Sequence, residues 1–153
     1  MAGALKDEVF GEFDWGGREY CSGTLTFLGT AIQWSIELDC SEEPTVQDFE
    51  DALRAAKQVY GRLTPDWELD SRNEAARQVL DSVYHQSEEE APPDQIAKLV
   101  GDMHVDKLEF MFTPGDDTAN VSLRYTSPKT FPNQKIMVQF DEHLKAWEVT
   151  LQG

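Results

Sequence analysis

The stretch from residue 23 to residue 39 constrains the fold more than any other part of the chain. It reads Gly-Thr-Leu-Thr-Phe-Leu-Gly-Thr-Ala-Ile-Gln-Trp-Ser-Ile-Glu-Leu-Asp, with apolar and polar residues alternating in two segments around Gly29. Such alternation places the apolar side chains on one face of a sheet. We therefore predict a hairpin that turns at Gly29 and Thr30 and sets Leu25 opposite Trp34. The apolar face of this hairpin has to be covered by other elements.

Further alternating segments extend the strand pattern on both sides. A first strand is predicted over Val9–Trp15, followed by strands over Arg18–Leu28 and Ala31–Asp39. Short turns join them, so these three strands are expected to form an antiparallel meander. Four later strands are centred on Phe110, Leu123, Val138 and Val149.

The middle of the chain carries helical rather than strand periodicity. Apolar residues recur every three or four positions in a first helix that begins at Thr45 as N-cap and ends at Gly61. A second helix is predicted to start at Pro65, which suits the first helical position, and to run to about His85. A short third helix is predicted over residues 94–100.

Strands and helices occupy separate blocks of the sequence, which is typical of the α+β class. We predict an antiparallel sheet of about seven strands, three N-terminal and four C-terminal, or two abutting sheets, with two to three helices from the middle of the chain packed on it. A chain of 153 residues is expected to form a single domain over residues 1–153. No apolar run approaches the length of a membrane span, and Met1–Glu8 lacks signal-peptide features, so we expect a cytoplasmic protein with no membrane partner.

The charge of the chain is strongly one-sided. It has 29 Asp and Glu against 13 Lys and Arg, a formal net charge of −16. Such a protein repels nucleic-acid phosphates, so direct nucleic-acid binding is not expected. A basic protein is the corresponding positive expectation for a partner, and simple solubility is the alternative explanation.

One segment concentrates this charge. Between residues 37 and 51 there are seven acids and no Lys or Arg. Asp48 is placed to form a capping box with Thr45, and acids in a first helical turn interact favourably with the helix dipole. The other acids gain less from the helix and repel one another, so we predict a partner-binding surface here. Its residues are Glu37, Asp39, Glu42, Glu43, Asp48, Glu50 and Asp51.

The sequence contains no pattern that specifies a reaction. Cys21 and Cys40 are expected to be free thiols, with a disulfide between them as the alternative. The spacing of His85, His104 and His143 does not fit a zinc site, and neither a nucleophile elbow nor a phosphate-binding loop is present. The sequence therefore provides no candidate catalytic residue, and we expect neither a metal nor a cofactor.

The residue pattern also carries a family resemblance. Its parts are Val-Phe-Gly-Glu-Phe at residues 9–13, Trp34 in the hairpin, the helical middle, Ile-Met-Val-Gln-Phe-Asp at residues 136–141, and the terminal Leu-Gln-Gly. In these features the chain resembles small bacterial domains of unknown function that accompany polymorphic toxin systems as immunity proteins. The resemblance implies a non-enzymatic intracellular protein that neutralises a cognate toxin, and the acidity suits a basic nuclease toxin. The alternative is a small-molecule-binding domain or an enzyme with a pocket between sheet and helices.

Overall fold

A computed structural model describes residues 4–14, 19–40, 42–84 and 92–153 of the chain. Strands and helices occupy separate blocks in these residues, which confirms the α+β class. The predicted strand and helix ends at Trp15, Arg18 and His85 lie outside the described residues. Within them, no helix has the length and hydropathy required to cross a membrane. The elements are β1 (Ala4–Asp7), β2 (Gly11–Asp14), β3 (Tyr20–Phe27), β4 (Thr30–Leu38), α1 (Val46–Tyr60), α2 (Pro65–Tyr84), α3 (Pro93–Asp102), β5 (His104–Phe112), β6 (Asn120–Ser127), β7 (Phe131–Phe140) and β8 (Ala146–Gln152).

The described strands form one sheet of six strands and a second sheet of two, where about seven strands were predicted. Strands β1 and β2 make a separate antiparallel pair, and six strands follow in the order β3-β4-β5-β6-β7-β8 in a mostly antiparallel sheet. The sequence pattern did not indicate β1. The chain reverses after this strand because the Asp7 carboxylate accepts the backbone N–H groups of Val9 and Phe10, at 2.7 and 3.0 Å. The first predicted strand corresponds to β2. It therefore pairs with β1, which precedes it in the chain, and not with β3.

The prediction of a wholly antiparallel sheet was wrong at one position. Strands β4 and β5 are parallel, with Trp34 opposite Leu108 and Leu38 opposite Phe112. A parallel pair requires a long crossover connection. The residues between β4 and β5 include all three helices, so the helical middle of the chain is this crossover.

The β3–β4 hairpin forms as predicted, but its turn lies one residue earlier. Leu28 and Gly29 occupy the turn with φ of 49° and 87°, and a type I′ turn requires positive φ at both positions. Leu25 therefore pairs with Ile32, and Gly23 pairs with Trp34. This register differs from the predicted one by two residues, so the same side chains remain on the apolar face.

The chain forms two compact units. Unit 1 comprises Met1–Thr64 and Lys107–Val121. Its core is organised around the fully buried Trp34, whose ring centroid lies 4.8 Å from that of Phe10 and 5.0 Å from that of Phe13. Helix α1 packs against β4. The apolar face of the hairpin, on which Trp34 lies, is therefore covered by other elements of unit 1.

Helix α1 has the predicted N-terminal cap. The Thr45 hydroxyl accepts the Asp48 N–H at 3.1 Å, and the Asp48 carboxylate accepts the Thr45 N–H at 2.9 Å. Gly61 follows the helix, as predicted, in a right-handed conformation with φ of −64°. The buried residues of α1 are Phe49, Ala52, Ala55, Ala56 and Val59.

Unit 2 comprises Pro65–Asp106 and Ser122–Gly153, and in it α2 packs against α3, β7 and β8. This unit buries a charged cluster centred on Glu68, which is 7% exposed. Arg72 donates two hydrogen bonds to its carboxylate, at 2.9 and 3.2 Å, and the Tyr125 hydroxyl donates a third at 3.1 Å. Burial and the Glu68 charge raise the pKa of Tyr125 far above its usual value, so the hydroxyl remains a donor.

Candidate functional site

The structure places the seven predicted acids of residues 37–51 at one end of unit 1, where β4 leads into α1. We call these seven residues the acidic surface. The backbone N–H of Asp39 donates to the Phe112 carbonyl at 2.8 Å, so the end of β4 is held against the end of β5. Asp48 and Asp51 are partly buried. The exposed members are Glu37, Asp39, Glu42, Glu43 and Glu50.

Two members of the acidic surface have structural partners. Asp48 closes the capping box with Thr45. Asp51 accepts hydrogen bonds from the Gln47 amide at 2.9 Å and from the Arg54 guanidinium at 3.0 Å. These contacts support the first turns of α1. Helix stability therefore accounts for both carboxylates, and no binding partner is needed to explain them.

The five exposed carboxylates are different. None of them forms a hydrogen bond or an ion pair with another residue in the part of the chain that the structure describes. Carboxylates that lie near one another and lack cations repel, and this repulsion opposes the compact state. No side-chain hydrogen bond or ion pair among the described residues therefore uses their charge, although Glu50 lines a depression that also contains Arg54 and Lys57.

A surface depression of about 420 Å³ beside α1 adds carboxylates that the sequence analysis did not assign to the site. It is lined by Asp51 and Arg54 of α1 and by Asp116 and Asp117 of the turn after β5, with Phe112 also in its wall. Asp116 and Asp117 lie between β5 and β6. Their position beside α1 follows from the parallel pairing of β4 with β5, which was not predicted.

The pKa of Cys40 reflects the negative charge at this end of unit 1. Its pKa is raised by burial and by the negative charges of Glu19, Asp48 and Asp39. Glu19 precedes β3 and lies outside the acidic run, so it is a further carboxylate that the sequence analysis did not include. A raised pKa keeps the thiol protonated, which makes Cys40 a weak nucleophile and a weak metal ligand.

The other candidate residues do not assemble into a reactive site with the acidic surface. Both cysteines are free, and burial raises the pKa of Cys21 to about 12. His85 lies outside the described residues, and His104 is exposed at the start of β5. His143 lies in the turn between β7 and β8, 3.5 Å from the Glu142 carboxylate. Within the described ranges, no group of three or more His, Cys, Asp and Glu side chains could hold a metal ion.

Comparisons with protein-family models, curated proteins and solved structures find no match to this chain. The resemblance to immunity proteins therefore stays a prediction.

Proposed function

We propose that this chain is a non-enzymatic protein-binding module of the immunity type, which neutralises a basic toxin, such as a nuclease, through its acidic surface. The observation that supports this proposal is the set of five exposed carboxylates without a partner among the described residues. Folding leaves these charges fully available to a positively charged partner. Electrostatic attraction of this kind accelerates association and makes affinity depend on salt.

The depression beside α1 indicates how a basic side chain would bind. Asp51, Asp116 and Asp117 line it, and the stem of a lysine or arginine could pack against Phe112. Arg54 now pairs with Asp51 at 3.0 Å, but the Arg54 side chain is 64% exposed. Exposed pairs contribute little stability, so an incoming guanidinium can exchange with Arg54 at low cost.

A nuclease toxin supplies the required chemistry. Enzymes that bind nucleic-acid backbones present Lys and Arg to phosphates. An inhibitor that offers carboxylates in place of phosphates competes for the same cations. With a net charge of −16, the chain is also repelled by nucleic acid itself, so the proposal requires no direct contact with DNA or RNA.

The proposal is tested with a variant that removes exposed charge and no structural contact. Its substitutions are Glu37→Gln, Glu42→Gln, Glu43→Gln and Glu50→Gln. The probe is the purified protein encoded immediately upstream of this chain's gene, and affinity is measured by calorimetry. We expect a loss of at least about tenfold in affinity, since each exposed charge pair contributes a few tenths of a kcal/mol or more.

A matched control removes four exposed acids from unit 2. Its substitutions are Asp66→Asn, Asp94→Asn, Glu142→Gln and Glu148→Gln. Because both variants change net charge equally, only a specific surface predicts that the control retains its affinity. Equal losses in the two variants would show a nonspecific charge effect, and no binding by the unmodified chain would exclude the upstream protein as its toxin. Either result would overturn the proposal.

A further inference from the structure

Unit 2 contains a cavity of about 550 Å³ between α2 and the turn that joins β7 to β8. One wall is a single face of α2, because Trp67, Asp70, Ser71 and Glu74 are spaced by three and four residues. The opposite wall is the turn, which contributes Lys145 among other residues. This cavity is separate from the acidic surface, and the inference drawn from it does not depend on the proposed function.

The cavity has a fixed aromatic surface. The ring centroids of Trp67 and Phe140 are 4.7 Å apart. The Trp67 indole N–H donates to the Leu144 carbonyl at 2.8 Å, which ties the start of α2 to the turn. Because this hydrogen bond and the ring packing hold the indole in place, an apolar group entering the cavity would meet a preformed surface.

The two walls carry opposite charges. On the α2 wall, the Glu74 carboxylate is already occupied by Arg77 and Gln78, whereas Asp70 makes no hydrogen bond or ion pair with any described residue. On the turn wall, Lys145 Nζ makes no hydrogen bond within the described ranges, although its charge helps to lower the pKa of the Asp141 carboxyl in the same turn. The cavity therefore offers one available anion and one available cation.

Ser71 contributes shape to this wall. It is 5% exposed, and its hydroxyl interacts with that of Tyr125 in the core of unit 2. The groups that a ligand could use are therefore Asp70, Lys145 and the aromatic surface.

The geometry points to a binding site for a small zwitterion with an apolar body, namely a free amino acid or a short peptide. Its ammonium group pairs with Asp70, its carboxylate pairs with Lys145, and its apolar part packs on Trp67 and Phe140. A simple anion would be repelled by the α2 wall, and a simple cation would be repelled by Lys145. Only a ligand with both charges suits both walls.

The experiment compares four probes by calorimetry on the full chain. L-leucine carries both charges, leucinamide lacks the carboxylate, isocaproate lacks the ammonium group, and the dipeptide Leu-Leu separates the two charges. We expect leucine or Leu-Leu to bind roughly tenfold more tightly than either single-charge probe, because a charge-assisted hydrogen bond is lost in each. The tighter of the two zwitterions identifies a free amino acid or a peptide as the source.

Variants locate the binding. Asp70→Asn and Lys145→Met should each weaken zwitterion binding by roughly tenfold, since each removes one charge partner. The matched controls Asp66→Asn on α2 and Lys98→Met on α3 should leave it unchanged. The inference would be overturned if leucinamide bound as tightly as leucine, or if the variants and the controls bound equally. It would also be overturned if no probe bound at concentrations up to about 10 mM, which corresponds to a binding free energy weaker than about 3 kcal/mol.

Discussion

Glu68 and the pair Glu42 and Glu43 are the same kind of residue in opposite environments. Glu68 is 7% exposed and accepts three hydrogen bonds, two from Arg72 and one from Tyr125. Glu42 and Glu43 are exposed and accept no hydrogen bond from another described residue. A buried carboxylate must have its partners, because removing them leaves an uncompensated charge. An exposed carboxylate does not need partners.

This difference separates structural carboxylates from those available for binding. Asp48 lies within the acidic surface by sequence, yet its capping box places it with the structural group. The comparison therefore predicts different consequences for acids that look equivalent in the sequence.

Glu68→Ala is expected to have the largest effect on stability. It leaves Arg72 and the Tyr125 hydroxyl without their buried partner, and breaking such a pair typically costs about 3–5 kcal/mol. The measurement is the free energy of unfolding from urea denaturation, with Glu42→Ala as the matched exposed control. If both variants lost the same free energy, the distinction between the two environments would be wrong.

Gly23→Ala tests whether unit 1 depends on packing more than on charge. A Cβ atom at Gly23 would lie 2.9 Å from two side-chain atoms of Trp34. Overpacking of a core typically costs about 1–3 kcal/mol, so the variant should unfold at lower urea concentration. At Gly101, in α3, an added Cβ meets no atom within 4 Å. Gly101→Ala should therefore stabilise the chain by up to about 1 kcal/mol, and destabilisation there would contradict this explanation.

Thr45→Ala is expected to cost about 1 kcal/mol, because α1 loses its capping hydroxyl. Asp48→Asn should also destabilise the helix, by a smaller amount, because the charged acceptor of the Thr45 N–H becomes neutral. Both changes are measured by thermal unfolding. Glu50→Gln is the control within the same helix, and a similar loss in that variant would place Glu50 among the structural acids.

Removing the ion pair between Lys57 and Asp7 is expected to have the smallest effect on folding stability, and this effect should depend on pH. Burial alone would raise the pKa of Asp7. Hydrogen bonds from Lys57 and from the N–H groups of Phe10 and Val9 have the larger, opposite effect, so the pKa of Asp7 lies below its ordinary value of 3.8. A depressed folded-state pKa contributes stability above the unfolded pKa, and this contribution is lost as pH falls through the folded value.

Lys57→Met should therefore cost up to about 1 kcal/mol at neutral pH, with the difference from the unmodified chain disappearing in acid, below the ordinary pKa of Asp7. The measurement is urea unfolding of both proteins across the acidic range. A difference that grows as pH falls would contradict the assignment of this shift to the ion pair.

Much of the local structure could be predicted because its signals are local. Alternating residues identified the apolar face of the β3–β4 hairpin even though the turn was placed one residue late. The capping box of α1 was predicted from Thr45 and Asp48 alone. The parallel pairing of β4 with β5 was missed, because the choice between strands far apart in sequence depends on tertiary packing and leaves no short-range pattern.

The candidate sites show the same limit. A run of acids is visible in the sequence, and five of its seven members are exposed as a binding surface requires. Glu19, Asp116 and Asp117 join them only through strand pairing and turns. The cavity of unit 2 depends on Trp67 meeting Phe140, two residues that are far apart in the sequence. Contacts of this kind could not be derived from periodicity.

The central claim is that the exposed acids serve binding and not folding. The most direct test uses the variant in which Glu37, Glu42, Glu43 and Glu50 are all replaced by Gln. Its affinity for the upstream-encoded protein is measured between about 0.05 M and about 0.5 M salt, a range over which the screening of charges increases strongly. We predict unchanged folding stability, within about 0.5 kcal/mol, with weaker binding that responds less to salt than that of the unmodified chain. Loss of folding stability with unchanged affinity and salt dependence would contradict the claim.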